Sequence, residues 1–288
     1  MFQVIGKQNL GAFVRRIDIR ADALVSKLRP GQFVAVQPDH FSRRMPMNVY
    51  EVDFRRRCVS LVFEERDAET VKMGNMRIND SIYAVSGPYG VEIPAQKMGT
   101  VVFAGEGIGL ASIALLCRCF KQAGNKVVGI AGFEERKASV LENQLRLNCT
   151  KFYVMYKDGM HERRGDILSP LKKCIEVERP LRIYAHTGLE MIREVSQIAR
   201  DSRTSLWVNI MALYEARPSF IETDMVQINN EPYSLARDGV WIDAAKMDIN
   251  LFVREANAFK EYAQCRRDEA VLSASKNVWA RLKKFIWG

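Results

Sequence analysis

Residues 100–120 read TVVFAGEGIGLASIALLCRCF, and the change of pattern inside them decides the fold. Val101, Val102, Phe103 and Ala104 form the short apolar run that a strand buried on both faces requires. Gly105-Glu106-Gly107-Ile108-Gly109 comes next, and over 110–122 the apolar residues recur at helical spacing. Strand, glycine turn and helix together read as a dinucleotide-binding β-α unit. Glycines let the backbone turn tightly and approach a pyrophosphate, and a helix start offers free N–H groups and a partial positive charge. The following run 127–131, VVGIA, reads as the next parallel strand. A tight turn that binds nothing would have the same pattern. Glu106 favours that second reading, because a carboxylate repels phosphate at short range.

Outward from this unit, 152–155 and 181–185 read as further parallel strands, and 138–147, 167–174 and 191–200 as helices. Such βαβ alternation predicts a doubly wound parallel sheet over 98–210. Ligand would sit at the strands' carboxyl ends, around Gly105, Gly132 and His186-Thr187-Gly188. Residues 132–137, GFEERK, occupy the ribose-recognition position. Their acids suit a free 2′-hydroxyl, as in NAD, whereas Arg136 and Lys137 suit a 2′-phosphate, as in NADP. The choice stays open.

Residues 1–97 read as short strands, 12–19, 31–36, 47–52, 58–63 and 82–85, separated by charged turns such as Asp53-Phe54-Arg55-Arg56-Arg57. That is the spacing of a small antiparallel barrel. One helical stretch, 67–73, interrupts it, and Gly87-Pro88-Tyr89-Gly90 is expected to break the chain before the sheet domain.

The chain of 288 residues has room for two cores, and 48% hydrophobic with 27% charged residues suits a globular protein. No apolar run approaches the length of a membrane span and the first residues lack signal-peptide form, so a cytoplasmic protein is expected. Six scattered cysteines without a CxxC pair read as reduced, structural thiols. A net charge of +9 fits an acidic partner, nucleic acid or a membrane surface. No aromatic-basic motif supports nucleic acid.

RPGQFVAVQPDHFSRRMPMNVYEVD (29–53), GPYG (87–90), GTVVFAGEGIG (99–109) and AGNKVVGIAGFEERKASVLENQLR (123–146) together resemble the ferredoxin–NADP reductase superfamily. The pattern is similar to the electron-transfer subunit of dihydroorotate dehydrogenase and to the small subunits of sulfide dehydrogenase and bifurcating transhydrogenase. The likeness covers roughly 1–248 and implies an antiparallel Greek-key FAD-type barrel (1–97), a doubly wound NAD(P)-type sheet (98–210) and a small iron–sulfur-type subdomain (211–248). An amphipathic helical tail (249–288) lies beyond it. The resemblance also implies hydride transfer from NAD(P)H to FAD and single-electron delivery onward. Arg44, Pro46, Met47 and Asn48 match the family's flavin strand, Thr70 its phosphate-wrapping helix start and Gly87 the barrel's last turn. Gly105, Gly107, Ile108 and Gly109 match its nucleotide turn, and Thr187 and Gly188 the turn beside nicotinamide. No side-chain acid or base is required for this chemistry, and no metal ligand is assigned.

Three departures from the family pattern matter. Asp67 and Glu69 stand at the flavin-phosphate helix start, where carboxylates stabilise the helix but compete with phosphate for its N–H groups. Glu106 stands in the nucleotide turn. Residues 211–248 contain no cysteine, with Ala216, Ile221, Asp224 and Ala236 where ligands are expected, so no ordinary [2Fe–2S] cluster can be built. His40 and His161 read as surface residues. Apolar residues over 251–262 and 278–286 suggest two amphipathic helices, the second flanked by lysines and arginines. They would pack on their own domain, dock a partner or rest on a membrane surface. Two functions follow. One is a diverged electron-transfer subunit using FAD and NAD(P)H and serving a partner redox protein or catalytic subunit. The other is a cofactor-poor docking subunit that keeps the fold without the chemistry.

Overall fold

The computed structural model describes residues 2–136, 139, 141–158, 163–211, 225–229 and 231–254. Seven short strands make an antiparallel sheet: β1 (Phe2–Asn9), β2 (Val14–Arg20), β3 (Phe33–Gln37), β4 (Met45–Asp53), β5 (Cys58–Glu64), β6 (Ser81–Ile82) and β7 (Ala84–Tyr89). Their order is β6-β1-β2-β5-β4-β3-β7. Ser81–Ile82 pairs with β1 at one edge, and Ala84–Tyr89 pairs with β3 at the other. One stretch of chain, 81–89, thus borders both edges of the sheet and curls it toward a barrel. The expected break at Gly87–Gly90 is corrected, because Gly87 and Tyr89 belong to β7 itself. Two short helices border the barrel, α1 (Asp22–Val25) and α2 (Ala68–Asn75).

Asp18 is the barrel's buried charge. It accepts from Arg16 at 2.9 Å, Arg56 at 2.7 Å and Ser60 at 2.8 Å. Burial disfavours the carboxylate, but these donors outweigh it and hold Asp18 below the usual range. Gly6 leaves the space, since a Cβ there would lie 2.5 Å from the Asp18 carboxylate. Asp18→Ala removes the shared acceptor of Arg16, Arg56 and Ser60 and is expected to cost about 2 kcal/mol by urea unfolding.

The second sheet has the order β10-β9-β8-β11-β12-β15: β8 (Thr100–Glu106), β9 (Lys126–Phe133), β10 (Lys151–Tyr156), β11 (Arg182–His186), β12 (Ser205–Asn209) and β15 (Trp241–Asp243). All pairs are parallel except β12–β15. Helices α3 (Leu110–Gln122), α4 (Glu142–Asn148), α5 (Leu168–Glu178) and α6 (Leu189–Asp201) connect successive strands. The chain reverses strand order between β8 and β11, the position where doubly wound sheets open a ligand crevice. Helix α4 is described from Glu142, preceded by Leu141 with a left-handed backbone (φ 66°); Ala138 and Val140 of the helix expected over 138–147 lie outside the described residues.

A hairpin of β13 (Met225–Ile228) and β14 (Glu231–Ser234) leads into the short helix α7 (Leu235–Asp238). Its Ala236 carbonyl accepts from Gly90 N at 2.8 Å, tying this segment to the barrel's last strand. Residues 212–224, with Ala216, Ile221 and Asp224, and the tail 255–288 lie outside the described residues, as does His161. One core runs through the parallel sheet and α3 and takes in Phe33, Ala35 and Tyr50 of the barrel; a second fills the barrel around Val34, Met47 and Leu61. Arg118 of α3 pairs with Glu51 of β4 at 2.6 Å, and Glu51 also holds Arg16 at 2.9 Å.

Candidate functional site

The glycines of the β8–α3 turn do three different things. A Cβ at Gly105 would come 2.9 Å from Leu110 Cδ2, so this glycine serves the packing of helix on strand. At Gly109 a Cβ would come 2.5 Å from the carbonyl oxygen of His186, so this glycine lets α3 approach the end of β11. Gly107 has φ 50° and nothing within 4 Å of where its Cβ would point. It alone opens onto the crevice, with Ile108 half-buried beside it against the core. Gly109→Ala drives a methyl into backbone and is expected to cost about 3 kcal/mol, read as a fall in thermal midpoint.

Glu106 crosses the crevice mouth. Its Oε2 accepts from the N–H of Gly188 at 3.2 Å, and Gly188 is the N-cap of α6. Its stem lies against Gly132 of β9, where a Cβ would be 3.2 Å from Glu106 Cγ. One carboxylate therefore spans the ends of β8, β9 and β11 and takes a helix-start N–H that an anion would use. Burial, with Glu134 and Asp166 adding to it, raises the Glu106 pKa above the usual carboxylate range; the Gly188 N–H and Lys157 offset part of this. Lys157 itself is held by Glu134 at 2.6 Å. Thr187 is buried and donates its hydroxyl to the Gly188 carbonyl at 3.2 Å.

Behind this mouth sits His186, buried, its Nδ1 2.6 Å from Ser112 Oγ and its ring edge-on to Trp241. The Ser112 hydroxyl also bonds the Gly109 carbonyl at 2.8 Å. Burial, with Arg66 nearby, lowers the His186 pKa to about 4, so the ring is neutral at pH 7. The sequence named His186 only as a strand end; its link to Ser112, 74 residues away, has no local signature.

At the barrel, Asp67 caps α2. Its Oδ1 accepts from Thr70 N at 2.8 Å, while Thr70 Oγ1 accepts from Asp67 N at 3.0 Å, completing a capping box. Arg43 closes on this helix start, bonded to Asp67 and 3.5 Å from Glu69. Thr70, through both its N–H and its hydroxyl, is thus engaged within the chain. Arg44 is differently placed: half-buried, with Nε 3.4 Å from Gln37 Oε1. Pro46 and Met47 are buried in β4, opposite Ala35 and Val34. Asn48 Oδ1 accepts from Asn209 Nδ2 at 3.4 Å, at the junction of barrel and parallel sheet. Gly87 (φ 138°) lies in β7, where a Cβ would approach the Phe33 carbonyl at 3.2 Å. The residues named from sequence therefore form two groups on facing elements, one around Arg44–Asn48 and one around Gly105–Gly109 with Thr187–Gly188. Thr70 joins neither as an available donor. Among the described residues there is no cluster of metal-ligating side chains, and no helix is long and apolar enough to cross a membrane.

An antiparallel barrel-type sheet followed by this parallel sheet, with a glycine turn at the switch point, is the two-domain fold of ferredoxin–NADP reductase-like structures. No family model matches the chain. The chain is similar to a dihydroorotate dehydrogenase B (NAD(+)) electron transfer subunit homolog of Thermotoga maritima, 21% identical over 209 residues, 72% of this chain and 73% of that protein. It is also similar to the corresponding electron transfer subunit of Streptococcus thermophilus, 27% identical over 147 residues, covering 49% of this chain and 56% of that one. An uncharacterized protein of Clostridium beijerinckii is 24% identical over 182 residues, 61% of this chain and 62% of that protein. The chain thus spans between about half and three quarters of these relatives' lengths. In fold it matches a chain of the NADH-dependent reduced ferredoxin–NADP oxidoreductase, with TM-score 0.79 and 17% identity, over 94% of this chain and 98% of that one. Ferredoxin–NADP+ reductase of Plasmodium falciparum, solved with 2′P-AMP, matches with TM-score 0.57 and 13% identity, over 72% of this chain and 94% of that one.

Proposed function

We propose that this chain is an electron-transfer subunit that takes reducing equivalents from NAD(P)H at the β8–α3 crevice and passes them, through FAD held against the barrel, to a partner redox protein or catalytic subunit. Gly107 carries the nucleotide half of the reading: it has a positive φ, faces open space and stands at the switch point of a doubly wound sheet. Arg44 carries the flavin half. It is a half-buried guanidinium beside β4 whose bond to Gln37 is long, and it suits bidentate contact with a diphosphate. Bound flavin would supply the exchange between hydride and single electrons. The chain's own part is to place the two nucleotides across the Asn48–Asn209 junction and to shield them from water. Residues 211–248 carry no cysteine, so electrons would leave without a cluster in that segment. The division at about residue 97, the small 211–248 unit and a cytoplasmic setting belong to the same reading.

The capped start of α2 favours a loosely held flavin. Asp67 and Thr70 already bond each other, and Arg43 is neutralised by Asp67 and Glu69. The same feature favours the second reading, a docking subunit without cofactors. The visible spectrum separates the two. Purified protein, mixed with FAD and desalted, is expected to retain flavin bands that Arg44→Gln weakens. A colourless wild type after FAD treatment favours the docking subunit.

A further inference from the structure

Strand β4, which carries the flavin-side residues, changes face partway along. Met45, Met47 and Val49 belong to the barrel core, whereas Tyr50 belongs to the core of the parallel sheet and Asn48 bonds Asn209 there. Strict alternation would turn Glu51 into the barrel, where an ionised carboxylate is costly. The register slips between Val49 and Glu51: Val49 pairs with Leu61 and Glu51 with Ser60. This bulge inserts one extra residue into β4 and reverses the alternation. Val52 then packs on the barrel core, and Glu51 reaches outward to α3.

Helix α3 meets it with a matching face. Leu115 is buried in the barrel core and Cys119 packs at its edge, and Arg118 shares their side of the helix. Arg118 Nη1 donates to Glu51 Oε1 at 2.6 Å. Glu51 Oε2 accepts from Arg16 at 2.9 Å; Arg16 also bonds Asp18 and Ser60, and Arg56 holds the far side of Asp18. Charges therefore alternate from Arg56 through Asp18, Arg16 and Glu51 to Arg118. An isolated exposed pair contributes little, because two long side chains must be ordered to make it. Here Glu51 is already held by Arg16 when Arg118 meets it, and its side chain is 28% exposed.

We propose that Glu51 and Arg118 are positioning residues that fix the angle between barrel and parallel sheet, and through it the approach of nicotinamide to flavin. The assignment rests on the electron-transfer reading above. Its ground is where the bond falls. Glu51 lies about 10 Å along β4 from Asn48, and Arg118 about 12 Å along α3 from Leu110 at the glycine turn. One bond thus joins the two elements that carry the two nucleotide groups. Much of the boundary, with Phe33, Ala35, Tyr50 and Val62 packed into the core of the sheet, is apolar and non-directional. A charge-assisted bond adds the direction that such packing lacks. Transfer between bound groups is sensitive to misplacement by about 1 Å.

The test compares full-length wild type with Arg118→Gln, Glu51→Ala, the double variant and Arg118→Lys. In FAD-reconstituted protein under anaerobic conditions, Arg118→Gln is expected to slow flavin bleaching at saturating NADH or NADPH ~10-fold. Half-saturation should shift less than ~2-fold and flavin retention should not change. The double variant should be no slower than Glu51→Ala alone, since both lack the same bond. Arg118→Lys should regain most of the rate, because the bond uses a single nitrogen. In cofactor-free protein, hydrogen exchange over 45–53 and 110–122 is expected to quicken several-fold in Arg118→Gln and to return to the wild-type rate in Arg118→Lys. Unchanged exchange, additive losses in the double variant, or a loss confined to half-saturation would each overturn the proposal. If wild-type flavin is bleached and Arg118→Gln keeps pace with it, this assignment alone falls. If neither nucleotide bleaches the wild type, the electron-transfer reading falls and takes the assignment with it.

Discussion

Replacing Glu106 by glycine is expected to tighten NADH or NADPH binding by up to ~100-fold at pH 7. The carboxylate lies across the crevice and holds the N–H of Gly188 at the start of α6. Two like charges about 5 Å apart at a protein surface repel by about 3 kcal/mol, and about 3 kcal/mol is a ~100-fold change in affinity. Glycine also frees the α6 start for an anion. Because burial raises the Glu106 pKa, its proton is taken up above the usual carboxylate range as pH falls. Wild-type affinity should therefore rise toward acid, and the Glu106→Gly protein should lose that dependence. Titration by nucleotide fluorescence at several pH values measures both. Equal affinity in the two proteins would mean that Glu106 does not face the bound nucleotide.

Acid sensitivity is the second large effect. His186 titrates at about 4 in the fold against 6.5 for an unhindered imidazole, because burial penalises its charged form and Arg66 adds to this. Between those values the unfolded chain binds a proton that the folded chain refuses, so stability falls as pH falls. The contribution is intact above pH 6.5 and is lost as pH drops toward 4; the gap corresponds to about 3 kcal/mol. Asp18 and Asp67, held below their usual values, lose their own contributions at more acidic pH. Urea unfolding of wild type and His186→Gln over this range tests the assignment. The variant is expected to show a flatter profile between pH 6.5 and 4; identical slopes would assign the loss elsewhere.

Much of the fold was legible because its pattern is local. VVFA, VVGIA and the helical spacing over 110–122 each announce themselves within a few residues, and α3 has the bounds its apolar period gives. Elements that depend on tertiary partners were not legible. β1 ends in Lys7-Gln8-Asn9, which carries no alternation, yet it pairs with both β2 and β6. β15 has only three residues and exists by pairing with β12.

The sites divide in the same way. That carboxylates stand at two helix starts was readable from Asp67, Glu69 and Glu106. What each carboxylate does was not. Glu106 caps a helix 82 residues away, and Arg43 rather than Arg44 closes on α2. Neighbouring arginines cannot be ranked by spacing when a turn decides which way each points. The glycines were read as one phosphate motif, whereas Gly105 and Gly109 are required by close packing against Leu110 and His186. Only backbone proximity across the sheet separates those two from Gly107.

The most direct test of electron transfer is anaerobic. Protein reconstituted with FAD and desalted should lose its visible flavin absorption when NADH or NADPH is added, and faster in Glu106→Gly than in wild type. Retained flavin that neither nucleotide bleaches, in either protein, would contradict the account.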